Sequence, residues 1–263
     1  MYPETARPEK HTAATRPPEL LPGDVDIWYR LTDKTSAHAQ VEARSLLSAD
    51  ERLRCSQYRL THDRRDYAMA HALLRTSLSR YRDVTPHAWV FKTGVYGKPG
   101  LATPTSRAGR ALEFNLSHAR GIIACAITNG ARVGVDVETT NLSFNYADIM
   151  SRYCTPDEIL RISQSPEEDR ATRFIELWTL KEAYIKATGG CLTEAISHVG
   201  FQIDGESVRL VKPARTNAGA WQFAILTPAP HYRIGVALES RSTEPLRVRA
   251  LHLALFDSEL VVA

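Results

Sequence analysis

Trp178-Thr179-Leu180-Lys181-Glu182-Ala183-Tyr184-Ile185-Lys186-Ala187-Thr188-Gly189 sets a carboxylate and an amine inside an otherwise apolar helix, and the rest of the chain reads outward from it. Upstream, Ser165-Pro166-Glu167-Glu168-Asp169 predicts the helix start, with Ser165 as N-cap, Pro166 at the first position and Glu168 closing a capping box. The acids there suit the positive end of the helix dipole. Downstream, Gly189-Gly190 supplies residues that adopt the left-handed conformation closing a helix. Between these ends Phe174, Leu177, Leu180, Tyr184 and Ala187 recur at three- and four-residue steps, the period of a helix packed on a core. Thr179, Glu182 and Lys186 fall on a different face. At i and i+4, Glu182 and Lys186 are also compatible with a solvated surface ion pair worth roughly 0.2–0.5 kcal/mol.

A second stretch, Arg132-Val133-Gly134-Val135-Asp136-Val137-Glu138, alternates valine with glycine and acid. As a strand it sends the valines to one face and both carboxylates to the other. Two acids side by side repel unless a proton, a basic side chain or a divalent cation lies between them. A few hard oxygen ligands, with positions left for water and phosphate, suit Mg²⁺. Two solvated acids on an exposed sheet face would show the same pattern.

Composition narrows the class. At 263 residues and 43% hydrophobic, the chain can bury one large core or two of ordinary size. No apolar run has the length of a membrane span, and Met1-Tyr-Pro-Glu-Thr-Ala-Arg-Pro lacks a signal-peptide core, so a cytoplasmic protein is expected. Cys55, Cys125, Cys154 and Cys191 show no CxxC pair and no zinc spacing, and read as reduced structural thiols. Charge is uneven: residues 23–130 hold 16 Lys or Arg against 10 Asp or Glu, and residues 131–263 hold 14 against 17. That division fits an acidic ligand on the first half and a metal on the second. Nucleic acid is the weaker match, because the arginines lack aromatic interleaving and no helix-turn-helix, zinc-finger or RNP pattern occurs.

Along the chain, residues 1–22 carry five prolines and no periodicity, and are expected to be a disordered tail. Asp26 to Leu31 reads as a strand; a short helical stretch ends at Leu46 and Leu47; Ser48-Ala49-Asp50-Glu51 starts another by the capping-box rule. That second helix and its sequel carry Arg52, Arg54, Arg59, Arg64 and Arg65, which alone would be a solvated face. From Asp63 to about Tyr81–Asp83 the pattern Tyr67, Ala70, Leu73, Leu74, Ser77, Leu78 marks a long amphipathic helix. Ala88 to Lys92 reads as a strand and Tyr96-Gly97-Lys98-Pro99-Gly100 as a loop. Phe114-Asn115-Leu116-Ser117-His118 leads into a buried strand over Ile122 to Ile127, which a turn at Asn129-Gly130 joins to the carboxylate strand as a hairpin. Read alone, His118 serves equally as a structural histidine. Helices follow over Phe144 to Met150 and from Thr155-Pro156. After the signature helix come strands over 198–203, 207–211, 221–226 and 232–238, and residues beyond about 240 are expected to extend the same sheet. Strands around one long helix in each half, residues 23–130 and 131–263, suit an α+β pseudo-dimer, each half a small antiparallel sheet packed around a long helix.

The motifs Tyr96-Gly97-Lys98-Pro99, Phe114-Asn115-Leu116-Ser117-His118, Gly134-Val-Asp136-Val-Glu138 and Trp178-Thr-Leu-Lys181-Glu182-Ala183-Tyr-Ile-Lys186 resemble, in this order, those of the 4′-phosphopantetheinyl transferases. The resemblance is to the long, surfactin-synthetase-activating (Sfp) type, covers roughly residues 24–240, and implies two similar halves in one chain with the site at their interface. It implies transfer of the phosphopantetheine arm of coenzyme A to a serine of an apo acyl or peptidyl carrier protein, with release of adenosine 3′,5′-bisphosphate, by a monomer that needs neither nucleic acid nor membrane. Asp136, Glu138 and Glu182 match the family's ligands for Mg²⁺, with Mn²⁺ as a substitute. Glu182 is the candidate base, directly or through a bound water, and Lys186 the residue that assists the leaving bisphosphate. Lys98, Ser117 and His118 match positions that hold coenzyme A, with His118 and an arginine, first Arg54, answering the 3′-phosphate; Asp136 and Lys186 also face that ligand. Ala119 stands where the family often has a second serine. A metal-dependent nucleotide pyrophosphohydrolase and a non-catalytic coenzyme A-binding module are the alternatives; the second has no need of three acids and Lys186.

Overall fold

The computed structural model describes residues 9–11, 19–21, 23–94, 98–102, 111–190, 196–212, 221–240 and 246–253, so Cys191 and the Tyr96-Gly97 part of the loop motif lie outside the described residues. Strand β1 spans Glu9–His11 and β2 Asp24–Leu31. Two short helices, α1 (Ala37–Ser45) and α2 (Ala49–Gln57), both begin on serine. Ser36 Oγ accepts from the Ala39 N–H, and Ser48 with Glu51 forms the expected capping box. Each oxygen satisfies an N–H that a first helical turn leaves without a partner. Helix α3 (Thr61–Leu78) follows, and then β3 (Phe91–Thr93), β4 (Pro99–Leu101), β5 (Leu112–Ala119) and β6 (Ile122–Asn129). The strand expected over Ala88 to Lys92 is displaced, because Pro86–Ala88 closes as a 3-10 turn.

Strand β7 (Val133–Thr139) opens the second part, followed by α4 (Tyr146–Tyr153) and α5 (Pro156–Ser163), the latter with the Thr155–Glu158 capping box. Helix α6 (Glu167–Thr188) ends as its sequence dictates, at Gly189 with φ 72°. Its start differs from expectation. Pro166 (φ −50°, ψ 142°) is itself the cap residue and has no side-chain donor or acceptor to offer, while the Ser165 hydroxyl donates to Arg161 O of the preceding helix. Strands β8 (Gly200–Asp204), β9 (Ser207–Lys212), β10 (Trp221–Leu226), β11 (Tyr232–Glu239) and β12 (Arg247–Leu253) complete the order. No helix among the described residues is long and apolar enough to cross a membrane.

The protein is a mixed α+β structure with small sheets. The larger sheet has the order β1-β12-β2-β6-β5 and the second β10-β11-β7, while β3-β4 and β8-β9 form separate pairs. Period-2 alternation stacks these into four layers. On β2 and β6, Trp28, Ile123, Cys125 and Ile127 pack with Met69, Leu73 and Leu74 of α3. The opposite faces of those strands, with Val25, Ile27, Tyr29, Ile122, Ala124 and Ala126, meet Val133, Val135, Val137, Ile234, Val236 and Leu238 of the second sheet. That sheet's outer face carries α6, whose Phe174, Leu177, Leu180, Tyr184 and Ala187 are buried as their spacing predicts.

Four expectations are corrected by this topology. Strands β6 and β7 are not a hairpin: β6 pairs with β2 and β5, β7 pairs with β11, and the turn at Gly130 (φ 84°) carries the chain from one sheet to the facing one. The last strand does not extend the second sheet but adds to β2 in parallel, held by Arg249 on the buried Asp26. The larger sheet is therefore mixed and not purely antiparallel. Finally, the segment expected to be a disordered tail contains β1, parallel to β12, and Leu20, buried in the α3 core.

Candidate active site

The site is built where α6 crosses β7, and glycine makes that crossing possible. A Cβ on Gly134 would lie 1.9 Å from Ala183 O and 2.7 Å from Ala187 N. A Cβ on Gly235, the cross-strand partner of Asp136, would lie 2.5 Å from the carbonyl carbon of Thr179. The helix backbone thus rests directly on both strands. Asp136 stands beside the gap they leave, and the face of α6 that bears Thr179 and Glu182 is buried against it.

Lys186 Nζ donates to Asp136 Oδ1 at 2.6 Å and to Ser117 Oγ at 3.0 Å, and Ser117 Oγ donates to Asp136 Oδ1 at 2.9 Å. The lysine is therefore not a surface partner of Glu182. Strand β5 contributes from the other sheet: Asn115 Oδ1 accepts from the Val135 N–H at 2.8 Å, which fixes β5 against β7 and puts Ser117 level with Asp136. Asn115 had no assigned role in the sequence. Its place two residues before Ser117, on the same face of one strand, is the signal that could have found it.

Asp136 and Glu182 are 5% and 6% exposed, and Asp136 Oδ2 and Glu182 Oε1 are buried without a hydrogen-bond partner. Burying an ionised oxygen without a partner costs several kcal/mol, so such a group takes up a proton or a cation. Desolvation first, and then the Asp136 charge, raises both Glu138 and Glu182 to about 7; Glu182 also raises Glu138, and Lys186 opposes both shifts. Among the described residues no three carboxylate, imidazole or thiol side chains stand close enough to enclose a metal by themselves. Unpartnered carboxylate oxygens in hard-donor surroundings nevertheless fit Mg²⁺, which keeps waters and binds through one or two carboxylates plus phosphate.

The other predicted residues are distributed around this centre. His118 follows Ser117 on β5. Lost solvation lowers its pKa; Asp66 acts in the opposite sense, and Lys186 and His71 add to the fall. His71 packs against Tyr67 with ring centroids 4.3 Å apart and planes tilted by 34°, and it bonds Glu51. Arg54 is exposed on α2, and its charge acts on the Tyr67 hydroxyl. Arg54, Tyr67, His71 and His118 thus share one neighbourhood, which also holds Glu51 and Asp66, and His71 is the member the sequence did not single out. The Lys98 amine is engaged by two carbonyls, Lys186 O at 2.8 Å and Val133 O at 3.3 Å.

Two family models match the chain. Residues 132–237 match the 4′-phosphopantetheinyl transferase superfamily and residues 34–129 match the N-terminal region of 4′-phosphopantetheinyl transferases. The two matches meet where the chain passes from the first sheet to the second. The 4′-phosphopantetheinyl transferase HetI of Nostoc is 28% identical over 90% of this chain and 97% of its own length. A 4′-phosphopantetheinyl transferase of Bacillus subtilis is 27% identical over 66% of this chain and 71% of its own. A phosphopantetheinyl transferase of Thraustochytrium is 28% identical over 71% and 68%. The solved holo-[acyl-carrier-protein] synthase of Thermotoga maritima aligns with 43% of this chain and 65% of its own, at 16% identity and a TM-score of 0.35.

Proposed function

Because this chain belongs to the 4′-phosphopantetheinyl transferase superfamily, we propose that it moves the phosphopantetheine arm of coenzyme A onto a serine of an apo acyl or peptidyl carrier protein and releases adenosine 3′,5′-bisphosphate. The observation that carries the reading is the meeting of Asp136, Glu182, Lys186 and Ser117 at one helix–strand crossing, with two buried carboxylate oxygens left unpartnered.

The carrier's serine oxygen attacks the β-phosphorus of the pyrophosphate, an O–P bond forms, and the bond to the bisphosphate breaks. Glu182, directly or through a bound water, takes the hydroxyl proton as general base. Lys186, one turn along, offers its amine to the pyrophosphate and to the charge that develops on the leaving group. Ser117 holds that amine and Asp136 in register. Asp136 and Glu182, each with an unpartnered buried oxygen, would hold Mg²⁺, or Mn²⁺, with Glu138 as the third acid acting on the ion through its charge; when bound, the ion supplies neutralisation of the non-bridging oxygens. His118 and the rim that includes Arg54 answer the 3′-phosphate.

The finer architecture belongs to the same proposal. Residues 23–130 are the basic part that carries α3 and residues 131–263 the acidic part that carries α6, with β12 crossing back to pair with β2; the two form a pseudo-dimer whose apolar sheet faces supply within one chain what a second subunit would otherwise offer. A cytoplasmic monomer follows. The reaction is tested by following adenosine 3′,5′-bisphosphate from coenzyme A and Mg²⁺ with and without an apo carrier. Release only with the carrier supports transfer; equal release without it would make the protein a pyrophosphohydrolase.

A further inference from the structure

Helix α5, the first half of α6 and strand β8 do not close completely on one another. Between them lies a cavity of about 300 Å³ whose floor is apolar: Ile162, Leu177 and Phe201 are buried there and Ile203 is half-buried. Core side chains ordinarily interdigitate without a gap of that size. None of Asp136, Glu182, Lys186 and Ser117 lines it. Leu177 and Glu182 are five positions apart on α6, about 140° of helical rotation, so the cavity and the candidate active site use different faces of one helix.

The base of the cavity is rigid and electrically quiet. Glu158 Oε1 accepts from the Phe201 N–H at 2.8 Å, and Oε2 accepts from the Thr155 N–H at 2.7 Å and from the Lys181 amine at 2.8 Å. Lys181 is fully buried and also donates to the carbonyls of Tyr153, Ile196 and Val199. One ion pair therefore fixes α5, α6 and β8 at their present spacing, and it leaves Glu158 with no unbalanced charge to repel an anion.

The mouth is cationic. The side chains of Arg161 on α5 and Arg173 on α6 are 55% and 48% exposed. Arg161 Nη1 stands 3.8 Å from Asp204, a carboxylate that Gln202 and Arg209 already engage at 2.7 and 3.3 Å. Arg173 Nη1 meets Glu176 at 3.3 Å, and Glu176 is also engaged by Arg233 at 3.1 Å. Half-exposed pairs of this kind contribute little and exchange readily, and each planar guanidinium carries five N–H donors suited to a carboxylate. The volume lies at the lower end of the roughly 300–1,000 Å³ of ligand sites, with space for roughly ten water-sized groups.

We propose that this cavity is a binding site for a small amphipathic anion with the size and chemistry of a medium-chain carboxylate. The chain lies on Ile162, Leu177, Phe201 and Ile203, and the carboxylate sits between Arg161 and Arg173. The site is separate from the one that carries the transferase reading and depends on no part of it.

The probe is octanoate, titrated into the full chain by calorimetry with octanol and octyltrimethylammonium as the uncharged and cationic counterparts. Octanoate should bind with a Kd below about 1 mM and at least about ten-fold tighter than octanol, octyltrimethylammonium should not bind, and saturating coenzyme A should leave the octanoate Kd unchanged. Ile203→Trp, which fills the cavity, should abolish octanoate binding. Arg161→Ala combined with Arg173→Ala, both half-exposed, should weaken octanoate about ten-fold and leave octanol unchanged. Absence of octanoate binding to the parent, equal affinity for octanol or octyltrimethylammonium, displacement by coenzyme A, or an unchanged octanoate Kd in either folded variant would overturn the proposal. If Ile203→Trp does not fold, the arginine pair decides alone.

Discussion

Lys186 and Asp136, 50 positions apart in sequence, are joined by a 2.6 Å ion pair that spans the gap between α6 and β7. It satisfies Oδ1 of Asp136 and leaves Oδ2 buried and unpartnered. One oxygen is therefore balanced by the protein's own cation, and the other is where the proposed Mg²⁺ would bind. That asymmetry separates this site from a structural salt bridge, in which both oxygens would be satisfied.

Asp136→Ala and Glu182→Gln should each lower transfer by roughly a hundred- to ten-thousand-fold, the range for losing a positioned base or its electrostatic partner. The stability effect of Glu182→Gln should differ in sign from most core changes. Glu182→Gln removes a buried acid with an unpartnered oxygen, so its Tm should equal or exceed the parent's. Thermal scans beside rate measurements decide this; an active Glu182→Gln enzyme would contradict the assignment.

The metal-free protein should lose stability as pH rises. Glu138 and Glu182 are raised to about 7 in the fold, above the ordinary carboxylate value of 4.5. Their contribution is complete below about 4.5 and is lost as pH rises through about 7, because the unfolded chain then releases the protons more readily. Tm in chelator should fall between pH 5 and 8, and Mg²⁺ should raise Tm more at pH 8 than at pH 5.5. A flat profile with no response to Mg²⁺ would contradict a cation site among these acids.

Gly134→Ala tests the crossing. The added Cβ would meet Ala183 O at 1.9 Å, a backbone atom that moves only if α6 moves, so the change should cost more than about 3 kcal/mol in urea unfolding and abolish transfer. Gly189→Ala is the control. It meets no atom within 4 Å, but at φ 72° it should cost only about 1–2 kcal/mol.

Glu51 makes the opposite pH prediction. Burial alone would raise it, but hydrogen bonds from His71 and the Ser48 N–H, with the charges of His71 and Arg75, bring it down to about 2. Its contribution is present above the ordinary value of 4.5 and is lost as pH falls through about 2. Glu51→Gln should therefore destabilise at pH 7 by about 3 kcal/mol and narrow the gap to the parent below pH 3, as read by denaturant titration.

Local signals made much of this legible. The spacing of Phe174, Leu177, Leu180, Tyr184 and Ala187, the left-handed Gly189 and the capping boxes at Ser48 and Thr155 are written within a few residues, and the fold follows them. Val133, Val135 and Val137 face one way and Asp136 the other for the same reason. What escaped was long-range. An Asn-Gly turn has the same chemistry whether the next strand pairs beside the last or in the facing sheet, so β6 and β7 looked like a hairpin. Nothing in Arg247–Leu253 announces a parallel partner in β2, and a loop lysine carries no mark of the helix end it caps. Among the site residues, the acids and Lys186 were legible by type and spacing, whereas the Asn115 and Ser117 bonds across the sheets required the fold.

The central claim is tested most directly by intact-mass spectrometry of an apo carrier protein after incubation with this protein, Mg²⁺ and coenzyme A. The account predicts one phosphopantetheine added per carrier at a single serine, no addition without Mg²⁺ and none with the Asp136→Ala variant. A carrier panel that stays unmodified while coenzyme A is cleaved, or modification that persists undiminished in Asp136→Ala, would contradict it.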